Sequence, residues 1–252
     1  MTSIANLAST YRNQSQWRKA EVLEVLVMEM RQQVLGEEHP DSLTSMGNLV
    51  LTYWSQGQWK EAEELQVLVM ETMNQVLGKE HPDLLTSMGN LALMYWNQGR
   101  WKEAEELQVV VMETMKRVLG EEHPHSLTSM GNLVLTYSKQ GWWKEAEELQ
   151  VLVMEMMERM LGKEHPHSLT SIANLASTYR NQSQWRKAEE LEVLVMGMRK
   201  QVLGEEHPDS LTSMGNLVST YQSQGRWEEA EVLEVLVMEM RKWVLGEEHL
   251  TC

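Results

Sequence analysis

Histidine has the most varied chemistry of the side chains in this sequence, and its spacing is regular. Five histidines precede a proline and recur every 42 residues: His39, His81, His123, His165 and His207. His123 with His125, and His165 with His167, could hold Zn²⁺ or Ni²⁺ across adjacent loops, but no carboxylate or thiol ligand recurs with them. We therefore expect the five histidines to cap the helices that follow, and we predict no metal and no cofactor.

Serine and threonine also recur with this period, but none is paired with a unique histidine and aspartate. The sequence contains no GxxxxGKS/T nucleotide loop and no GxGxxG turn after a strand. A catalytic site needs a distinct set of residues at one place, whereas this chain presents the same residues six times. We predict no catalytic residues and a protein that is not an enzyme.

Acidic side chains outnumber basic ones by 37 to 22, giving a formal net charge of −15 and a predicted pI near 5.0. Nucleic acids and anionic membranes require clustered Lys and Arg, so neither is an expected partner. The one cysteine, Cys252, excludes an internal disulfide framework and a cysteine-based metal cluster. No signal peptide follows Met1, and no apolar run approaches the roughly 18 residues of a membrane span. We expect a soluble, cytoplasmic chain.

The 42-residue period covers the whole sequence, because 252 residues are six times 42. Tyrosine follows the period at Tyr11, Tyr53, Tyr95, Tyr137, Tyr179 and Tyr221. Tryptophan follows it at Trp17, Trp59, Trp101, Trp143, Trp185 and Trp227. We predict a single array over residues 1–252, with repeats at about 1–42, 43–84, 85–126, 127–168, 169–210 and 211–252.

One unit, from Pro40 to Gly78, predicts two helices. Pro40 suits a first helical turn, and apolar residues follow at helical spacing: Leu43, Met46, Leu49, Val50 and Tyr53. A second helix is predicted over residues 59–77, with Gly78 ending it. No alternating pattern of strand length occurs, so the expected fold class is all-α. One hairpin cannot cover its own apolar residues, so neighbouring units must stack, as they do in an α-solenoid.

The unit resembles a tetratricopeptide repeat (TPR) in its signature positions: Leu49, Val50, Tyr53, Gly57, Trp59 and Ala62. The period is 42 rather than the usual length of about 34, and this longer unit is most similar to the repeats of kinesin light chain. It also resembles the arrays that follow the ATPase module in immune-receptor-like proteins. The resemblance implies a right-handed superhelix of six two-helix hairpins. Its first helices would line a concave groove that binds extended peptides or protein segments.

The same resemblance implies that an asparagine on each first helix contacts the ligand's backbone. The matching residues are Asn6, Asn48, Asn90, Asn132, Asn174 and Asn216. An amide suits this role because it both donates and accepts hydrogen bonds; the alternative is that these asparagines bond a neighbouring helix. Carboxylate-binding members add Lys or Arg in the first turn, where this chain has threonines such as Thr44 and Thr86. Recognition of a free C-terminal carboxylate is therefore not expected.

Four residues of the second and third units are expected to form an apolar, aromatic floor of the groove: Leu51, Trp54, Leu93 and Trp96. Exposed aromatic residues are common anchors for binding partners. Alternatively, Trp54 and Trp96 pack between adjacent units and only fill space. The ends of the groove are more polar, with Ser9 and Arg12 at equivalent positions.

The acidic residues concentrate on the second helices, where they form either a solvated face or a field that attracts basic partners. The expected partner is a peptide or protein segment, basic or apolar in character. Val67 and Leu68 fall outside the apolar stripe in this register. They either form a lateral contact or belong to the core with Glu24 and Gln66 turned outward.

A peptide-binding scaffold without enzymatic activity is the leading function that the sequence predicts. The alternative is a structural, self-associating array without a dedicated ligand, engineered or cut from a larger receptor. Two segments, 2–20 and 170–188, are identical, and neither end carries the polar cap that repeat arrays normally have. Homo-oligomers that form through these uncapped ends are therefore a second expectation.

Overall fold

The computed structural model describes residues 2–245, and within this range the chain forms twelve α-helices and no strand. The helices pair into six hairpins, each with a shorter first helix and a longer second helix. The first helices are α1 (Thr2–Asn13), α3 (Pro40–Ser55), α5 (Pro82–Asn97), α7 (Pro124–Gln140), α9 (Pro166–Asn181) and α11 (Pro208–Ser223). The second helices are α2 (Trp17–Leu35), α4 (Trp59–Leu77), α6 (Trp101–Leu119), α8 (Trp143–Leu161), α10 (Trp185–Leu203) and α12 (Trp227–Leu245).

A histidine–proline pair starts every first helix from α3 onward. Pro40 occupies the first turn of α3, where its missing N–H leaves no hydrogen bond unmade. The Nδ1 atom of His39 accepts a hydrogen bond from the backbone N–H of Asp41 at 3.1 Å. The equivalent contact occurs at His81, His123, His165 and His207. The prediction that these histidines cap the following helices is confirmed.

A tight turn in left-handed conformation joins the two helices of each hairpin. Gly57 adopts φ +78° in this turn, which a glycine does without steric strain. Two repeats have serine instead, and Ser15 and Ser183 adopt φ +56° and +59°. The turn therefore keeps one geometry in repeats that differ in this residue.

The chain divides into two compact units, one up to Glu121 and one from Glu122 onward. Within each unit, the helix pairs with extensive contacts are neighbours in the chain, such as α2 with α3 and α10 with α11. This is the arrangement expected of a solenoid, in which each repeat touches only its neighbours. The single array over residues 1–252 stays a prediction.

In the first unit, apolar residues of successive hairpins form shared clusters. Leu43 and Met46 of α3 pack with Val69 of α4, and Met28 of α2 covers them from the preceding hairpin. A second cluster joins Val50 and Ala62 to Leu91 and Met94 of α5. Ala62 is fully buried, so a larger side chain here would overpack the contact, at about 1–3 kcal/mol.

The second unit repeats this packing with its own residues. Leu169 and Ile172 of α9 pack with Val195 of α10, and Met154 of α8 lies against them. Leu211 and Met214 of α11 form the corresponding cluster with Val237 of α12. Four first helices, α3, α5, α9 and α11, thus each contact a second helix on both sides and keep one face exposed.

Candidate binding groove

The free faces of α3 and α5 border a cavity of about 650 Å³ in the first unit, which we call the α3–α5 cavity. Residues three or four positions apart lie on one face of a helix, and this spacing brings both walls together. The α3 wall contains Thr44, Gly47, Asn48, Leu51 and Trp54, and the α5 wall contains Thr86, Asn90, Leu93 and Asn97. Val69 and Met73 of α4 line its base. The volume falls within the range of about 300–1,000 Å³ typical of ligand sites.

Two leucines on these walls are exposed to solvent. Leu51 is 52% exposed and Leu93 is 53% exposed, although each belongs to a helix whose opposite face is fully packed. Exposed apolar surface beside a cavity is typical of sites that bury part of a ligand.

The two tryptophans predicted for the groove floor have different positions. Trp54 lines the α3–α5 cavity, and its ring also packs edge-on against Trp59, with ring centroids 4.3 Å apart. Trp96 is half-buried and is not among the residues that line the cavity. The structure therefore brings Leu51, Trp54 and Leu93 together and leaves Trp96 apart from them.

Two of the six predicted asparagines line the cavity. The Asn48 side-chain oxygen accepts a hydrogen bond from Arg12 Nη1 at 3.3 Å, so this amide does bond a neighbouring repeat while its NH₂ group stays available. The Asn90 side chain is exposed and receives no hydrogen bond from the described residues. The other asparagines lie outside the α3–α5 cavity: Asn6, Asn132, Asn174 and Asn216.

The sequence matches the family model "Tetratricopeptide repeat" six times, over residues 1–41, 42–83, 84–125, 126–167, 168–209 and 210–251. The chain belongs to the tetratricopeptide-repeat family. The predicted all-α fold of six two-helix TPR hairpins is thereby confirmed. No curated protein sequence matches the chain.

Solved structures of other TPR proteins resemble this chain. A protein of Podosopora anserina described as a kinesin light chain, with nearly identical TPR-like repeats, is 33% identical with a TM-score of 0.72, over 79% of this chain and 95% of that one. BtubC (BKLC) from P. vanneervenii is 19% identical with a TM-score of 0.75, over 92% and 93% of the two chains. A signal-transduction ATPase of Pyrococcus horikoshii with a TPR sensor is 14% identical with a TM-score of 0.72, over 96% of this chain and 36% of that one. The predicted similarity to kinesin light chain repeats is confirmed.

Gly47 is a further candidate site residue of this TPR chain, which was not predicted from the sequence. It lies in the middle of α3 and lines the cavity, and a Cβ atom built on it would have no neighbour within 4 Å. Packing therefore does not require glycine here, although glycine inside a helix costs about 0.5–1 kcal/mol relative to alanine. The bare backbone leaves room for a ligand to approach α3. Glycine recurs directly before the asparagine in other repeats, as at Gly89. This recurrence was the signal in the sequence that could have identified Gly47.

The second helices carry a buried polar position that was predicted wrongly. Glu24 and Gln66 were expected to turn outward if Val67 belonged to the core, but both are buried, and Val67 packs, half-buried, against the cluster around Leu91. Gln66 Nε2 donates to the backbone oxygen of Ser87 at 2.9 Å, across to the next repeat. Gln66 and Val67 therefore both contribute to contacts between repeats.

Charged pairs use the same buried position in two other repeats. Arg12 Nη1 lies 3.3 Å from a Glu24 carboxylate oxygen, and Arg180 Nη1 lies 3.4 Å from one of Glu192. Burial raises the pKa of Glu192, although the Thr220 hydroxyl and the charge of Arg180 act in the opposite direction. Arg12, predicted for a polar end of the groove, is thus engaged in an ion pair, as is its equivalent Arg180.

The paired histidines act as caps. The rings of His123 and His125 are 5.2 Å apart, but His123 Nδ1 is occupied by the backbone N–H of His125 at 3.2 Å. Within the described residues, no group of three or more His, Cys, Asp or Glu side chains could hold a metal ion. Over the same part of the chain, no helix has the length and apolar character needed to cross a membrane.

Proposed function

We propose that this TPR chain is a non-enzymatic scaffold that binds an extended peptide or protein segment in the α3–α5 cavity. The observation that supports this most directly is the convergence of Asn48, Leu51, Trp54, Asn90 and Leu93 on one open cavity of about 650 Å³. These residues offer apolar surface to an anchoring side chain of the ligand and amide groups to the ligand's backbone. No set of residues suited to bond-making chemistry accompanies them.

An apolar side chain of the ligand enters between Leu51 and Leu93 and contacts Trp54. Burying one large apolar side chain fully stabilises a complex by about 1.5–3 kcal/mol. The amides of Asn48 and Asn90 then hold the extended backbone beside it, because an amide matches both the N–H and the C=O of a peptide group. Gly47 lets the backbone come close to α3.

A solved structure with the same fold supports a peptide or protein partner at a coarse level. A Rap protein, 10% identical to this chain with a TM-score of 0.56, has been solved in complex with Competence and Sporulation Factor. At this identity the likeness concerns the fold alone, so the nature of the ligand here rests on the residues of the cavity.

Single asparagine substitutions test the proposal. A peptide is first selected from a random phage-displayed library on the full chain, and its Kd is then measured by fluorescence anisotropy. We expect Asn48→Ala and Asn90→Ala each to weaken binding about two- to tenfold, since a net hydrogen bond is worth about 0.5–1.5 kcal/mol. Asn132→Ala and Asn174→Ala are matched controls, because they occupy the same helical position outside the cavity.

The controls are expected to bind like the unmodified chain. Equal binding by all four variants would contradict the proposed site, and failure of the library to yield any binding peptide would contradict the proposed function.

Exposed apolar residues on α12 favour self-association as a second candidate function. Val232 is 73% exposed and Trp243 is 80% exposed. Val235 is also exposed, whereas its equivalent Val67 is half-buried against α5. Light scattering over a concentration series tests this candidate: a mass that rises with concentration supports it, and a constant monomer mass contradicts it.

A further inference from the structure

We infer that the occupant of the α3–α5 cavity is a peptide that carries Lys or Arg about four residues from its apolar anchor, and that Glu38 and Asp83 bind this cation. The inference rests on the proposed function and adds the charge of the ligand to it. It follows from the distribution of charges around the cavity.

Two carboxylates line one end of the cavity, and no Lys or Arg lines any part of it. Within the described residues, no Lys or Arg nitrogen comes within 4.0 Å of the carboxylates of Glu38 or Asp83. His81 Nδ1 lies 3.8 Å from an Asp83 carboxylate oxygen, but this nitrogen accepts a hydrogen bond from the backbone N–H of Asp83 instead of donating to the carboxylate. Both carboxylates therefore keep their charge available to a ligand.

Two arginines of the first unit, Arg12 and Arg31, are engaged elsewhere. Arg12 is paired with Glu24, and Arg31 donates to the backbone oxygen of Asp41 at 2.9 Å. Both arginines border a separate cavity of about 30 Å³, which is too small for a side chain of a peptide. The N-termini of α3 and α5 each contribute about half a positive charge. The negative charge of the two carboxylates therefore exceeds the positive charge of the helix ends.

The distance along the helices sets the spacing in the ligand. Leu93 and Asp83 lie on α5, and a rise of about 1.5 Å per residue separates them by about 15 Å along the helix axis. An extended peptide advances about 3.3 Å per residue, so an anchor beside Leu93 places a residue about four positions away next to Asp83. The apolar and acidic parts of the cavity thus select two side chains at a defined spacing.

The second unit has different chemistry at the equivalent positions of α9 and α11. Ser177 and Ser219 replace the two exposed leucines. Arg199 replaces Met73 and donates to Thr170 Oγ1 at 3.2 Å and to Ser213 Oγ at 3.0 Å. This side of the second unit lacks both the apolar walls and the excess of negative charge, so it provides a control for selectivity.

Three versions of one selected peptide test the inference on the full chain, with Lys, Gln or Glu placed four residues from the apolar anchor. We expect the Lys peptide to bind about two- to fivefold tighter than the Gln peptide, as expected for exposed ion pairs. The advantage should shrink between about 0.1 M and 1 M salt, because the screening length falls from about 10 Å to 3 Å.

The matched variants are Glu38→Gln/Asp83→Asn and, in the second unit, Glu164→Gln/Asp209→Asn, which removes the same charges from the equivalent positions. The first should abolish the preference for Lys over Gln, and the second should keep it. Tighter binding of the Glu peptide, or a Lys preference that survives Glu38→Gln/Asp83→Asn, would overturn the inference.

The Gln peptide separates this inference from the proposed function, because it carries no charge at the tested position. If its binding still depends on Asn90 while the Lys preference is absent, the inference fails and the proposed function stands. If the Gln peptide binds independently of Asn90, the proposed function fails as well.

Discussion

In this TPR chain, the residue at one position of the first helix varies together with the residue at one position of the second helix. Arginine at the first position always accompanies glutamate at the second. The first-helix set is Arg12, Trp54, Trp96, Ser138, Arg180 and Gln222. The second-helix set, in the same order of repeats, is Glu24, Gln66, Gln108, Gln150, Glu192 and Glu234. Glu192 is 4% exposed, and a buried carboxylate needs a cation or several hydrogen bonds. A neutral glutamine needs no cation, so it accompanies Trp or Ser. Glu234, which accompanies Gln222, is exposed and therefore needs no counter-charge.

Transplanting the neutral pair of the fourth repeat into the fifth tests this explanation. Arg180→Ser leaves the buried Glu192 without its counter-charge and should lower the free energy of unfolding by about 1–3 kcal/mol. Arg180→Ser/Glu192→Gln recreates Ser138 with Gln150, and we expect it to regain more than half of that loss. Chemical denaturation of both variants measures the difference, and equal losses would contradict the pairing.

The sign of the pH dependence follows from the raised pKa of Glu192. Its protonated form is favoured in the folded state, so the stability associated with protonation is present at low pH and lost as pH rises through the folded-state pKa. The decrease in the free energy of unfolding that Arg180→Ser causes should therefore be smaller near pH 5 than near pH 7.

The sequence alone does not reveal the burial of Glu24 and Gln66, because both fall among acidic and polar residues that resemble a solvated face. Their burial depends on the neighbouring repeat, which supplies Ser87 to Gln66. A comparison of the two positions across repeats was the available signal.

At the scale of the helices, the sequence determined most of the structure. The second helix was predicted over residues 59–77 and is Trp59–Leu77, because tryptophan starts the apolar spacing and Gly78 ends it. The histidine caps and the helix-starting prolines were equally recognisable, since each acts through local hydrogen bonds. The cavity between α3 and α5 was less predictable, because the positions of Trp54 and Trp96 depend on packing between repeats.

Gly47 provides a prediction at this scale. Gly47→Ala should raise the free energy of unfolding by about 0.5–1 kcal/mol, since alanine is the better helix former and its Cβ meets no neighbour. The same substitution at Gly131, which also has open space around it, should stabilise the chain equally. Of these two variants, only Gly47→Ala should weaken peptide binding, because Gly47 lines the α3–α5 cavity and Gly131 does not.

Thermal or chemical denaturation and anisotropy measure the two effects. If Gly47→Ala gains stability and binds as well as Gly131→Ala, the glycine has no role in ligand access.

At the scale of the whole molecule, identical segments acquire different surroundings. Residues 2–20 and 170–188 have the same sequence, yet Leu7 is exposed whereas its counterpart Leu175 is buried. Position in the array therefore decides which copies of a residue contribute to the core and which remain on the surface. The repeated pattern predicted six equivalent asparagines, whereas the structure places only two of them, Asn48 and Asn90, on the α3–α5 cavity.

The central claim is that the α3–α5 cavity holds the peptide, and a pair of leucine substitutions tests it most directly. Leu93 and Leu135 occupy the same position in consecutive repeats and are similarly exposed, at 53% and 56%, but only Leu93 lines the cavity. Replacing either by glutamate should leave the fold intact, as circular dichroism can verify. We predict that Leu93→Glu weakens binding of the selected peptide at least about tenfold, as expected when a buried apolar contact worth about 1.5–3 kcal/mol is lost, while Leu135→Glu binds normally. Equal affinities for the two variants would contradict the account.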